Sequence, residues 1–212
     1  MLLFRCALFN GKTTAFYIRT INRNGASMIT TFTGPMHSSK SETMIKYYNK
    51  IYNKDSILVF KPKVDTRDEG IIRSKGSSKY IDAICIKELE EIVNFVNEDI
   101  TNIFIDEIQF MKGSVKTLLK LSIMDDIDIY CAGLNMTSEQ EPFGLMPQIL
   151  AISDKIINTY SSCNVCGRKA IYTYYDGNKE SEVLVGDEGY MSLCRRCLRR
   201  ILIRNGDDRL SK

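Results

Sequence analysis

The feature that most restricts the fold is a change of period across one tight turn near residue 34. Met28-Ile29-Thr30-Thr31-Phe32-Thr33 is rich in β-branched residues and reads as a short strand. After the turn, Met44, Ile45 and Tyr48 recur at the spacing of one helical face. Between them lies Gly34-Pro35-Met36-His37-Ser38-Ser39-Lys40-Ser41. Strand, tight loop and helix in that order make a cradle for an anion, because backbone N–H groups converge and the helix N-terminus adds its dipole. In such a loop Lys40 reaches the terminal phosphates of a nucleotide and the Ser41 hydroxyl holds Mg²⁺. The fit to G-x-x-x-x-G-K-[ST] is broken at Ser39, where the second glycine is expected. A left-handed backbone there costs a non-glycine residue about 1–2 kcal/mol, which is expected to weaken nucleotide binding about five- to thirtyfold. An ordinary helix cap, with Ser38 or Ser39 ahead of Glu42, is the plainer alternative.

From residue 28 to about 150, strand-like and helix-like patterns alternate. Ser56 to Phe60, Ile81 to Ile86, Asn102 to Asp106 and Ile127 to Gly133 read as strands. Leu89, Ile92, Val93 and Val96 suggest one intervening helix, and Leu118, Leu119 and Leu121 another. The alternation predicts an open parallel sheet with helices on both faces, a fold that binds ligands at the carboxyl ends of its strands. Two polar stretches, 62–80 and 134–148, read as loops and hence as candidates for function.

Seven cysteines, an odd count, with no convincing secretory signal argue for a reducing compartment and against a disulfide framework. Cys163-Asn-Val-Cys166 and Cys194-Arg-Arg-Cys197 form two C-x-x-C pairs at a separation typical of a zinc ribbon. Four thiolates would close a tetrahedral Zn²⁺ site, structural in kind; a redox pair or buried free thiols are the alternatives. Cys85 and Cys131 fall in apolar strands, where a thiol acts as a small hydrophobe. At 212 residues and 44 % apolar content the chain can bury a real core, and no apolar run is long enough to cross a bilayer. Residues 1–27 hold four basic residues and no acid, so the +3 of the whole chain leaves −1 for the remainder. That opening segment reads as a basic extension outside the core, with organelle targeting or an oligomer-forming arm as other readings.

Phe104-Ile105-Asp106-Glu107-Ile108-Gln109-Phe110 is a further constellation. A carboxylate ending an apolar strand in a phosphate-loop protein is where Mg²⁺ is held. On an extended backbone Glu107 would point away from Asp106, so one acid can serve the metal and the other a substrate proton. A loop acid pair opening a helix is the bland reading.

With these segments in hand, the chain from about Met28 to Cys197 resembles the type II, cytosolic-type thymidine kinases. The turn at 34–41 looks like that family's phosphate loop. Phe60-Lys61-Pro62-Lys63-Val64-Asp65-Thr66-Arg67 is similar to its lysine-rich strand end and D-T-R loop, and Asp106 to Phe110 to its D-E-x-Q-F segment. Gly133-Leu134-Asn135 through Pro142-Phe143-Gly144 matches its G-L-D…P-F-G stretch apart from Asn135. Val183-Leu184-Val185-Gly186 with Tyr190 resembles the lasso that closes over the nucleoside. The resemblance implies a RecA-like phosphate-loop domain over 28–150, a zinc ribbon with the lasso over 151–200 and a tail over 201–212. It implies a cytoplasmic homotetramer of deoxynucleotide salvage that transfers the ATP γ-phosphate to the 5′-hydroxyl of thymidine or deoxyuridine. ATP would lie on Gly34 to Ser41 and Asp106 to Gln109, namely Gly34, Pro35, Met36, His37, Ser38, Ser39, Lys40, Ser41, Asp106, Glu107, Ile108 and Gln109. Ser41 and Asp106 would hold Mg²⁺, Glu107 would take the 5′ proton, and Asp65 and Arg67 would approach the phosphates. Met36, Phe110, Leu134 and Phe143 would wall the base pocket, with Val183, Val185 and Tyr190 contributing from the lasso. Ser39, Asn135 and Ser138 depart from the family's pattern and motivate a second reading, a catalytically weak nucleotide-binding scaffold. Arg195, Arg196, Arg199, Arg200 and Arg204 motivate a third, a zinc-ribbon nucleic-acid-binding ATPase, against which the negative charge of residues 28–212 argues.

Overall fold

The structure, a computed structural model, describes residues 5–9, 12–16, 26–66, 70–73, 80–176 and 189–207, the first two stretches by backbone alone. In the opening segment β1 (Arg5–Phe9) and β2 (Lys12–Phe16) pair as an antiparallel hairpin. The central sheet is built from β3 (Ile29–Thr33), β4 (Ile57–Pro62), β7 (Ile84–Ile86), β8 (Asn102–Ile105), β9 (Asp128–Gly133) and β10 (Lys155–Asn158). These six strands run in the order β10-β3-β9-β8-β4-β7, and every pairing is parallel. Their carboxyl ends therefore share one edge, and the segments that follow Thr33, Pro62, Ile105 and Gly133 all emerge there.

Strand alternation feeds two separate cores, since successive side chains point to opposite faces. Ile103, Ile105, Ile129 and Cys131 face one layer, closed by Leu118 and Leu121 of α2 (Lys116–Ile123) and by Met146 and Ile149 of α3 (Met146–Ile152). Phe32, Val59, Phe104 and Ala132 face the other, closed by Met44 and Ile45 of α1 (Lys40–Lys50). On that second face the Phe104 and Tyr130 rings stack at 4.4 Å, with Tyr48 of α1 edge-on to Phe104. Burial pushes the Cys131 thiol up to about 12, so it behaves as the inert hydrophobe its strand position predicts.

Several local expectations are corrected. Leu89 to Asn94 forms a 3₁₀ turn, not an α-helix, and Val93 is 45 % exposed while Leu89 and Ile92 are fully buried. Three residues per turn put Leu89 and Ile92 on one face and rotate Val93 off it. The run Ile81 to Ile86 is two strands, not one. β6 (Tyr80–Asp82) pairs antiparallel with β5 (Ile71–Arg73), whereas β7 joins the central sheet after Ala83. The polar stretch 62–80 thus includes a strand whose Ile72 packs with Ile81 onto the α1 face.

Beyond the sheet, β11 (Ser161–Ser162) pairs with β12 (Lys169–Ala170), and β13 (Tyr172–Tyr175) with β14 (Tyr190–Leu193). The final helix, α4 (Arg195–Arg204), lays Leu198 and Leu202 on this unit. Ala170, Tyr174, Leu193 and the buried cysteines are nearly all the rest of its core. So small a core needs a cross-link or metal to stand. Among the described residues no helix is long and apolar enough to cross a membrane.

Candidate active site

The turn after β3 is strained and closely packed. His37 has φ 60 and Ser39 has φ 57, so two non-glycine residues adopt the left-handed region within three positions. Ser39 stands at the N-cap of α1, its side chain making no hydrogen bond to the helix backbone. Gly34 is required by crowding, since a Cβ there would lie 2.3 Å from the Thr159 carbonyl oxygen. Ser38 Oγ donates to the Pro35 carbonyl at 2.7 Å and contacts Thr159 Oγ1 at 2.7 Å. Lys40 Nζ donates to the same Pro35 carbonyl at 2.8 Å, so the ammonium is folded into the turn's own backbone.

Ser39 thus adopts the left-handed backbone (φ 57, ψ 35) in which a non-glycine residue carries the expected strain of about 1–2 kcal/mol.

Ser41 Oγ donates to Asp106 Oδ2 at 2.9 Å. The two lie on elements 65 residues apart in sequence, with β9 between their strands β3 and β8. Asp106 is 7 % exposed, and its other oxygen accepts from the Glu107 N–H at 3.0 Å. Burial, with the neighbouring Glu107 charge, pushes the Asp106 carboxyl up from its ordinary 3.8 to about 7, against the opposing pull of Ser41, the Glu107 N–H and Lys40. A half-buried hydroxyl and a buried carboxylate side by side, next to a second acid, suit a hard divalent cation, which would relieve that repulsion.

Glu107 corrects another expectation. Its φ of 48 and ψ of 39 are left-handed, not extended. The strand ends at Ile105, and a short 3₁₀ turn (Ile108–Phe110) follows. What aims the Glu107 carboxylate is Gln109, whose amide donates to it while its Oε1 accepts from the Leu134 N–H at 3.1 Å. Gly144 allows this turn to sit where it does, because a Cβ there would come within 2.0 Å of the Gln109 carbonyl oxygen.

Phe110 and Phe143 meet edge-to-face at 5.3 Å, and Leu134 is tied to Gln109, so three of the residues assigned to a base pocket lie together. Met36 reaches a different neighbour, the β13–β14 hairpin: its N–H donates to Thr173 Oγ1 at 3.0 Å and its carbonyl accepts from Ser192 Oγ at 2.8 Å. Gln140 joins the same hairpin to the 134–145 loop through the carbonyls of Ser138 and Thr173. Tyr190, on β14, packs its ring at 4.9 Å from Tyr175. Asp65 pairs with buried Lys61 at 3.3 Å, while Lys61 also donates to the Ile71 carbonyl. Arg67, Val183 and Val185 lie outside the described residues. Thr159, Thr173 and Ser192 were not singled out in the sequence; isolated Thr and Ser residues carry no periodic signal.

The ligand atoms of Cys163, Cys166, Cys194 and Cys197 all lie within 4.8 Å of one another. Cys166 Sγ and Cys194 Sγ are 3.7 Å apart, close to the ~3.8 Å edge of a tetrahedron with Zn–S bonds near 2.3 Å. Burial opposes ionisation of Cys163, yet backbone hydrogen bonds from Cys194, Val165 and Cys166 outweigh it and bring the thiol down to about 6. The spacing of the four thiols fits a soft cation such as Zn²⁺.

A family model described as thymidine kinase matches residues 26–198. A thymidine kinase of Pseudothermotoga lettingae is 28 % identical over 184 residues, covering 85 % of this chain and 99 % of that protein. One of Mycoplasma mobile is 32 % identical over 173 residues, covering 80 % of this chain and 86 % of that protein.

Two outcomes test the site's energetics. Ser39→Gly should raise the melting temperature by about 2–4 °C, equivalent to about 1 kcal/mol of released strain in a domain of this size. An unchanged melting temperature would show that no such strain is stored at Ser39. For Asp106 the sign follows from a folded pKa above the unfolded one. Its contribution to stability is complete below about 3.8 and is lost as pH rises through about 7. Asp106→Asn should therefore melt higher than the parent above pH ~7. Calorimetry across pH reads this.

Proposed function

We propose, for a chain that belongs to the thymidine kinase family, that it transfers the γ-phosphate of ATP to the 5′-hydroxyl of thymidine or deoxyuridine. The observation that carries the reading is the Ser41–Asp106 contact, which sets a cation-ready pair between the Lys40 turn and Glu107. Phosphoryl transfer asks a protein mainly to position its reactants and to neutralise charge, and these side chains match those tasks.

On this reading the N–H groups of the 34–41 turn and the α1 N-terminus take the phosphates. Lys40 exchanges the Pro35 carbonyl for a phosphate oxygen, a short movement from where it is held. Ser41 and Asp106 would hold Mg²⁺, whose charge would offset that of the phosphates. Glu107, aimed by Gln109, accepts the proton of the attacking hydroxyl. Its left-handed backbone belongs to that task, since strain at a single residue between strand and turn is a usual way to present a reacting group. Phe110, Leu134 and Phe143 offer an apolar wall for a pyrimidine, with Met36 of the loop facing the ribbon hairpin. Cys163, Cys166, Cys194 and Cys197 would hold Zn²⁺ as a structural ion that stabilises the ribbon.

A coupled assay with Mg-ATP and each of the four deoxynucleosides tests this directly, with turnover expected for thymidine and deoxyuridine. Glu107→Gln should lower kcat about 10²–10⁴-fold, the usual contribution of a general base, with nucleotide affinity little changed. Turnover equal to the parent would remove Glu107 from that role.

A further inference from the structure

The strained turn is held from outside by the metal-bearing unit, through a chain of hydrogen bonds that can be followed atom by atom. Asn164 is the residue after Cys163 in the first C-x-x-C knuckle. Its N–H donates to the Ser192 carbonyl at 2.9 Å, and its Oδ1 accepts from the Ser192 N–H at 2.7 Å. Ser192, 2 % exposed and two positions before Cys194, then donates its hydroxyl to the Met36 carbonyl. Thr173, on the paired strand, accepts from the Met36 N–H. Both backbone polar groups of Met36 are thus committed to the ribbon hairpin, immediately before left-handed His37.

Left-handed residues outside glycine persist only where the surroundings over-determine them. Within the turn, Ser38 and Lys40 both lean on the Pro35 carbonyl, and Ser38 on Thr159. The turn's anchor to the β13–β14 hairpin is Met36. We infer that Ser192 is a positioning residue for nucleotide phosphates: gripped by Asn164 of the cysteine knuckle, it holds Met36 so that the 37–39 backbone is pre-shaped, and occupancy of the cysteine site is thereby coupled to nucleotide affinity. The coupling is reciprocal, as any linkage between two binding sites must be. It rests on the reading that the 34–41 turn binds phosphate.

The test uses the full-length zinc-loaded protein, a fluorescent ADP analogue and steady-state kinetics. Ser192→Ala should raise the analogue's Kd and the KM for ATP about fivefold, the loss of one ordinary hydrogen bond, with kcat within about twofold and zinc content unchanged. Ser192→Thr, which keeps the hydroxyl, should restore both. Asn164→Ala, at an exposed position, should act in the same direction and serves if Ser192→Ala folds poorly. Stripping zinc with a chelator should weaken analogue binding to the parent at least as much. In Ser192→Ala the further loss should be smaller, because the two act through one path. A merely structural role would lower the folded fraction and kcat while leaving Kd and KM alone, and that pattern overturns the proposal. So does parental affinity that does not respond to zinc. Failure of the parent to bind the analogue at all overturns the phosphate reading itself, which separates the two failures.

Discussion

A turn that holds two left-handed, non-glycine residues between a strand and a helix cannot stand on its own local preferences. His37 and Ser39 are kept in that conformation by what surrounds them: Gly34 pressed against Thr159, Ser38 and Lys40 gathered on the Pro35 carbonyl, and Met36 clasped by the ribbon. The neighbouring features follow from this. α1 starts where it does because Ser39 turns the chain, and Ser41 then falls in the first turn of the helix, within reach of Asp106.

The parallel sheet supplies the second constraint. Evenly directed strands deliver the ends of β3, β4, β8 and β9 to one edge, so Lys40, Asp65, Asp106 and Leu134 share a rim although they are scattered over the chain. The interposition of β9 between β3 and β8 opens the distance that Ser41 spans. Charge then concentrates there. Asp106 and Glu107 are adjacent, one buried and one half-buried, and the first is held partly protonated near neutrality by desolvation and by the second. Two acids so placed are unfavourable for the empty protein and favourable for one that binds a divalent cation, a trade between stability and function of a kind common at active sites.

Much was legible in the residues. The alternation of apolar runs marks the central strands because burial on both faces demands it, and the paired cysteines mark the ribbon because metal ligation demands that spacing. The turn at 34–41 was visible through Gly34, Lys40 and Ser41, whose roles are tied to local chain geometry. The region 81–96 was misread. A short apolar run does not distinguish one strand from two split at Ala83, and Leu89 and Ile92 fit either a 3₁₀ or an α turn. Glu107 was misread for a related reason, since nothing in Asp-Glu-Ile-Gln states that the strand stops one residue earlier.

By itself, then, the sequence determined the alternating parallel-sheet class, the strand–turn–helix around residue 34, the acid pair and the four thiol donors, all features set by residues near one another in the chain. Only the tertiary structure decided which polar groups meet. Ser192 touches Met36 across 156 positions, Ser41 touches Asp106 across 65, and Gln109 binds Leu134 across 25. Single hydroxyls and amides at such separations leave no period, spacing or composition to read. Their partners are chosen by how the sheet, its loops and the ribbon pack, and by the requirement that buried polar atoms find a mate.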